Sequence, residues 1–145
     1  MPELPEVETI ARGLRAVLAG RTIRAVEVCW EGAVAAPEPA EFARRLRGSR
    51  VGAVARRGKW LRIDLEGGGA LLLHLRMTGR LLTRRDPADD PHTRIVLTLD
   101  NGLTVRFCDA RKFGRMLLTD DPQRVLGALG PVSYTHLTLP TKRIV

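Results

Sequence analysis

The sequence contains little cysteine, lysine or aromatic side chain. Its 145 residues include two cysteines, Cys29 and Cys108, which lie far apart, so a disulfide framework and a CxxC zinc site are excluded within this chain. Both are expected to be buried thiols. No run approaches the ~18 apolar residues of a membrane-spanning helix. The first fifteen residues carry Glu3, Glu6 and Glu8 and no apolar segment, which argues against a signal peptide. These absences predict a cytoplasmic protein with one folded core.

Acidic residues are also scarce relative to basic ones. There are 24 Lys and Arg against 16 Asp and Glu, a formal net charge of +8, and the isoelectric point is near 10.9. Between residues 43 and 63 the chain has eight basic residues and no acidic residue, a density that suits a phosphate backbone. This stretch includes Arg56 and Arg57. The alternative is a solvated basic face without a partner.

Periodicity predicts short strands and few helices. Helical spacing runs from Pro5 to Leu18, a loop rich in Gly, Ala and Pro occupies 31–38, and an alternating pattern then dominates. The predicted helices are 5–18, 40–47 and 122–129, and the predicted strands are 22–30, 51–56, 60–65, 70–75, 80–83, 94–99, 103–107 and 115–118. We expect an α+β fold, mainly β: an antiparallel sandwich or barrel-like domain flanked by an N-terminal helix and a second short helix.

The N-terminus could carry chemistry of its own. A small second residue normally permits removal of the initiator methionine, which would leave Pro2 with a free secondary amine. Such an amine can attack an aldehyde-like sugar carbon and form an iminium, and the adjacent Glu3 could exchange protons as a general acid or base. The structural alternative is that Pro2 and Pro5 stiffen the helix entry while the carboxylates complement its dipole.

Four motifs in order give this region a family context. They are MPELPEVET at 1–9, RRGKWL at 56–61, HLRMTG at 74–79 and DARKFG at 109–114. Together they resemble the N-terminal domain of the formamidopyrimidine-DNA glycosylases, bacterial repair enzymes for oxidised purines. The resemblance covers about 130 residues and only that domain of the family.

The resemblance implies a role for each matching residue. The matching positions are Pro2 as the nucleophile that displaces the base and holds the sugar as a Schiff base, with Glu3 as general acid/base, Glu6 as a supporting carboxylate, Lys59 near the lesion and its phosphates, and His74 at a phosphate contact. Met77, Arg111 and Phe113 match the family's wedge, which fills the space left by an extruded base and supplies donors to its unpaired partner. Arg56 and Arg57 are expected to contact DNA.

The sequence also departs from the family. Arg76 stands where the family commonly has glycine, and residues 132–145 do not resemble the family's continuation. We therefore expect a catalytic domain at 1–130 followed by a non-native or truncated tail at 131–145. No cofactor is expected in this chain, because the family's structural zinc belongs to a C-terminal region that this sequence lacks. By itself the chain is expected to be weakly active or inactive.

The family resemblance predicts a monomer whose partner is double-stranded DNA with oxidised bases or abasic sites, associated with the bacterial nucleoid. Two other functions remain open from the sequence. One is an endonuclease VIII-type glycosylase for oxidised pyrimidines, which shares the proline nucleophile; Leu4, Val7 and the complete wedge favour the purine enzyme. The other is a non-catalytic basic domain that binds nucleic acid.

Overall fold

The computed structural model describes residues 4–75, 79–84, 91–112 and 114–128. Within them lie three helices and nine strands. The helices are α1 (Leu4–Leu18), α2 (Pro39–Leu46) and α3 (Pro122–Ala128), and the strands are β1 (Ile23–Val28), β2 (Val34–Ala36), β3 (Val51–Arg57), β4 (Trp60–Leu65), β5 (Ala70–His74), β6 (Gly79–Arg84), β7 (Thr93–Leu99), β8 (Thr104–Asp109) and β9 (Arg115–Thr119). No helix in these ranges is both long enough and apolar enough to span a membrane.

The strands form two sheets. One has four strands in the order β1-β7-β8-β6, and the other has five in the order β2-β9-β5-β4-β3. All neighbouring strands are antiparallel except β2 and β9, which are parallel. The predicted sandwich of short strands flanked by helices is confirmed, and the described strands do not close into a barrel.

The segment 31–38 differs from the predicted loop. It contains a 3-10 turn over Glu31–Ala33 and then β2, whose Val34 and Ala36 pair with Met116 and Leu117 of β9. A three-residue strand has too few residues to show a period of two. It forms here because the edge of β9 offers backbone donors and acceptors, which is a tertiary condition that local sequence does not reveal.

Helix α1 forms because one stripe of its surface is apolar. Val7, Ala11, Leu14 and Leu18 are all buried and recur at the spacing of one helix face. Gly20 ends the helix region with φ +79°, a left-handed conformation that glycine adopts without steric cost, and its N–H donates to the Val51 carbonyl. The apolar stripe packs mainly against β3, so the N-terminal helix is fixed to the five-stranded sheet.

The main core fills the space between the two sheets. Its largest fully buried side chains come from both sheets and from helices α1 and α2. They include Phe42, Leu61, Leu71, Ile95 and Phe107. A second, smaller cluster covers the outer face of the five-stranded sheet, where Leu72 and Leu117 meet Leu126 of α3. Burial of both faces gives the central strands of this sheet a rigid position from which their ends can present functional side chains.

Candidate functional site

At one end of the five-stranded sheet, four neighbouring strands carry a row of cationic and aromatic residues. The pairing register places Arg57 opposite Trp60, Trp60 opposite His74, and His74 opposite Arg115. Directly opposed residues of antiparallel strands point to the same face, so all four side chains lie on one face of the sheet. We call this end of the sheet, with its turns and loops, the functional end.

An aromatic contact orients the histidine in this row. The rings of Trp60 and His74 have centroids 5.0 Å apart and meet edge to face at 86°. This is a favoured geometry for an aromatic pair, because the positive ring edge meets the negative ring face. Both residues are partly buried. His74, for which the family resemblance implies a phosphate contact, lies at the functional end with its ring against Trp60.

Lys59 lies in the tight turn between β3 and β4, at the same end. Gly58 precedes it with φ +61°, the left-handed conformation that such a turn requires. Arg56 fixes this turn from the side of α1: its Nη1 donates to the Gly58 carbonyl at 3.1 Å, and its Nε donates to Glu8 Oε1 at 3.0 Å. The turn that carries Lys59 is therefore connected to the second turn of α1, close to the chain's N-terminus.

Glu8 is the acidic partner in this connection. Besides Arg56 it pairs with Arg12, whose Nε lies 3.4 Å from Glu8 Oε2. The hydrogen bond from Arg56 is the main cause that lowers the pKa of the Glu8 carboxyl below its usual value. The two guanidinium groups therefore favour the charged form of the Glu8 carboxylate.

Ion pairs neutralise most of the basic stretch at 43–63. Five of its eight cations pair with carboxylates: Arg44 with Glu41, Arg45 with Asp120, Arg50 with Glu66, Arg56 with Glu8 and Arg62 with Asp64. Arg47, Arg57 and Lys59 have no acidic partner within the described ranges. Two of these three, Arg57 and Lys59, stand at the functional end. The predicted basic face is therefore narrower than the sequence indicates.

The loop between β8 and β9 carries Arg111 and is built on one buried carboxylate. Asp109 is 1% exposed. Its Oδ1 accepts the N–H of Arg111 at 3.2 Å, and its Oδ2 accepts the N–H of Gly114 at 2.6 Å. The Asp109 carbonyl accepts a further hydrogen bond from Arg94 Nε at 2.9 Å. A single side chain thus spans the loop and fixes the backbone from which Arg111 projects.

Two glycines bring this loop close to the end of β5. A Cβ on Gly114 would lie 2.6 Å from Phe107 Cζ and 2.9 Å from the His74 carbonyl oxygen, and a Cβ on Gly79 would lie 2.5 Å from the Leu75 carbonyl oxygen. Neither position leaves room for a side chain. The glycines that close the third and fourth sequence motifs therefore let the backbone at these two positions pack closely against the Phe107 ring.

Several predicted site residues lie outside the described part of the structure. Pro2, Glu3, Met77 and Phe113 are among them, and so is the departure at Arg76. Glu6 lies in the backbone of α1, but its side chain is also outside the description. The described members, Arg56, Arg57, Lys59, His74 and Arg111, come from three separate motifs and lie at the functional end or on the loop beside it.

The structure also corrects one expectation and adds residues that the motifs did not single out. Cys108 is buried as predicted, but Cys29 is exposed, because it follows the last residue of edge strand β1. Asp109 was missed as a supporting residue, although an Asp two residues before Arg111 is a typical acceptor for a turn N–H. Among the described residues no group of three or more His, Cys, Asp or Glu side chains is arranged to hold a metal ion.

Comparisons with known proteins agree with this arrangement. A model of the formamidopyrimidine-DNA glycosylase N-terminal domain matches residues 1–116. The formamidopyrimidine-DNA glycosylase of Moorella thermoacetica is 48% identical over 119 residues, covering 81% of this chain and 43% of that protein. The Bacillus subtilis protein of the same name is 40% identical over 137 residues, covering 90% of this chain and 49% of that protein.

Solved structures agree with the sequence comparisons. A complex of Lactococcus lactis Fpg with DNA containing an abasic site superimposes with a TM-score of 0.80 at 28% identity, covering 86% of this chain and 46% of that one. MutM in complex with DNA containing carbocyclic 8-oxo-G gives 0.79 at 29% identity, covering 84% and 45%. The chain spans less than half of the length of each of these relatives. It belongs to the formamidopyrimidine-DNA glycosylase family, of which it contains the N-terminal domain.

Proposed function

We propose that this chain is the nucleophile-bearing part of a DNA glycosylase and abasic-site lyase that removes oxidised purines from double-stranded DNA. The observation that carries the proposal is the convergence of three motifs at the functional end, where Lys59, His74 and the Arg111 loop surround one edge of the sheet. The solved relatives are complexes with abasic-site DNA and with 8-oxo-G DNA, which supports this substrate class.

The proposed reaction begins at the Pro2 nitrogen. Its lone pair attacks C1′ of the damaged nucleotide, and the bond from C1′ to the base breaks with its electron pair leaving on the base. Loss of the amine proton and opening of the sugar ring, assisted by proton transfer from Glu3, give an iminium between the proline nitrogen and C1′. The iminium makes the C2′ protons acidic, and loss of one of them expels the 3′ phosphate with the electron pair of its C–O bond. Loss of a further proton, from C4′, then expels the 5′ phosphate, and water hydrolyses the remaining imine to release the proline amine.

The described residues would bind the DNA backbone and assist extrusion of the damaged base. Lys59 is a flexible point charge on a tight turn, which suits a contact to a phosphate oxygen. His74, held by Trp60, would donate to a second phosphate. Arg111 offers a planar set of donors to the base left unpaired by extrusion, on a backbone fixed by Asp109. Glu8 and Arg56 would keep the Lys59 turn aligned with the start of α1.

The test is borohydride trapping of the purified chain on a duplex with one abasic site. Intact mass first establishes that Met1 has been removed, and a matched sample that retains Met1 is the control, because its proline nitrogen lies in a tertiary amide. We expect a covalent adduct only with the free amine. Absence of an adduct from a folded sample free of Met1 would overturn the proposal that the amine site forms within these residues. DNA binding without an adduct would favour a non-catalytic basic domain.

Lesion class is tested separately in a longer protein that contains this chain. We expect faster excision of 8-oxoguanine than of an oxidised pyrimidine such as 5-hydroxycytosine from otherwise identical duplexes. The reverse order would identify an endonuclease VIII-type enzyme. Pro2→Gly is the control for excision by the proline nitrogen, because it keeps a free terminal amine while removing the secondary amine and its ring.

A further inference from the structure

Trp30 lies beside the loop that presents Arg111, although it is distant from that loop in sequence. The Lys112 Nζ atom is 4.9 Å from the centroid of the Trp30 ring, and the Arg115 Cζ atom is 5.3 Å from it. Both distances are within the range of attraction between a cation and an aromatic face. Trp30 therefore contacts Lys112, in the middle of the 110–114 loop, and Arg115, directly after that loop.

Arg115 connects the ring to the loop backbone. Its Nη1 donates to the Lys112 carbonyl at 2.6 Å and to the Gly114 carbonyl at 2.8 Å. The same guanidinium lies against Trp30. The backbone carbonyls of the loop are thus held by a cation whose own position depends on the tryptophan ring.

The conformation of Lys112 needs such support. Lys112 has φ +59°, and it is the one non-glycine residue with positive φ in the described ranges. For a residue with a Cβ this left-handed conformation is unfavourable, and it persists where surrounding contacts impose it. Asp109 provides one set of contacts, through the N–H groups of Arg111 and Gly114. The cation–π contacts with Trp30 provide the second.

The Trp30 ring is itself held in place. It packs against the main core, and Gly32 approaches it so closely that a Cβ there would lie 2.4 Å from the ring atom Cζ2. The ring therefore cannot move toward Gly32 to follow a shift of the loop. This rigidity lets a side chain outside the four motifs define the position of a loop inside one of them.

We propose that Trp30 is a positioning residue for Arg111: it holds Lys112 and Arg115 and so fixes the loop in the geometry that presents Arg111 to the unpaired base. The loop-holding part follows from contacts within the chain. The consequence for DNA rests on the proposed function.

The first measurement is hydrogen exchange of the DNA-free chain. Trp30→Ala is expected to raise the exchange rates of the Arg111 and Gly114 amides by about tenfold, with Trp30→Phe in between because a smaller ring keeps a weaker attraction. Arg50→Gln is the control, since Arg50 pairs with Glu66 rather than with the loop, and these two amides should exchange at the native rate. Native exchange rates in a folded Trp30→Ala variant would overturn the proposal.

A second variant covers the case in which Trp30→Ala does not fold. Lys112→Gln removes an exposed cation and leaves the core intact, and it should raise the same exchange rates several-fold. Unchanged rates in Lys112→Gln, with native circular dichroism, would likewise contradict the proposal.

A DNA-binding experiment compares two duplexes that contain one abasic site, with cytosine or adenine opposite that site. Cytosine presents two neighbouring acceptors to the donors of Arg111, so the native chain should bind that duplex more tightly. Trp30→Ala should lose this preference while keeping the salt dependence of binding, which reports phosphate contacts. A native chain without affinity for either duplex would contradict the proposed function but leave the exchange result intact. A preserved preference in Trp30→Ala would contradict only the positioning role.

Discussion

The two ends of the five-stranded sheet use the same kinds of residue in opposite ways. At the functional end, Arg57 and Lys59 have no acidic partner among the residues described, and they lie beside Trp60 and His74. At the other end, which we call the distal end, Arg50 pairs with Glu66 and Arg45 pairs with Asp120. One end presents positive charge to solvent, whereas the other compensates it internally.

This difference shows why charge density along the chain is a poor map of a binding surface. All three arginines and the lysine come from one stretch of sequence, residues 43–63, that contains no acidic residue. The acidic partners come from other parts of the chain and reach the stretch only in the folded protein. The cations left over are the ones that can release counterions from a phosphate backbone.

The largest expected effect is on the free energy of unfolding, and it is tested by comparing an aspartate at each end of the sheet. Asp109→Ala should lower the free energy of unfolding by about 2–4 kcal/mol, because two loop N–H groups lose a buried acceptor. Asp120→Ala is the control: its side chain is 79% exposed in an ion pair with Arg45, and exposed pairs contribute about 0–1 kcal/mol. Urea unfolding of both variants measures the difference. Similar losses in the two would mean that Asp109 supports the loop no more than a surface pair does.

An intermediate effect is expected on DNA binding. Lys59→Gln and Arg57→Gln should each weaken binding to duplex DNA and reduce the slope of log affinity against log salt by about 1, as expected for loss of one phosphate contact. Arg50→Gln makes the same change in net charge at the distal end and should leave the slope unchanged. Fluorescence anisotropy titrations at several salt concentrations compare the three. Equal slopes for Arg50→Gln and Lys59→Gln would indicate that net charge, rather than position, governs binding.

The smallest effect concerns Glu8 and the pH dependence of stability. Because the folded-state pKa of Glu8 lies below its usual value of 4.5, its contribution to stability is present above that pH and is lost as the pH falls through the folded-state pKa. Glu8→Gln should therefore lower the melting temperature by ~1–2 °C at neutral pH. The difference should vanish in acid, where the native carboxyl is also protonated. A difference that persists in acid would mean that the charge of Glu8 is not its cause.

Periodicity predicted most of the fold, because burial on one face leaves a repeat in the sequence. The apolar stripe of α1 and the alternation in β4 gave elements with nearly the observed bounds: the prediction for β4, 60–65, agrees with Trp60–Leu65. The failure at 31–38 has a physical reason. β2 depends on the edge of β9 for its hydrogen bonds, and neither its length nor its composition distinguishes it from a loop.

The candidate site was predictable to the extent that it lies in short motifs. Lys59, His74 and Arg111 were identified from their local sequence context, and their placement at one edge agrees with the predicted DNA-binding role, which stays a prediction until it is measured. Trp30 and Arg115 could not be identified in this way, because neither forms a local pattern with Lys112. Their contacts exist only because β9 runs between β5 and the segment after β1.

The sequence by itself determined the mainly β architecture, the N-terminal helix, the turns at glycine and the family of the chain, because each of these depends on local conformational preference or on a contiguous motif. Tertiary structure alone decided which cations are compensated, which ring orients His74 and which residues hold the Arg111 loop. The physical reason is that ion pairs, ring contacts and buried hydrogen bonds depend on distances between atoms remote in the chain, and the packing of the two sheets fixes those distances.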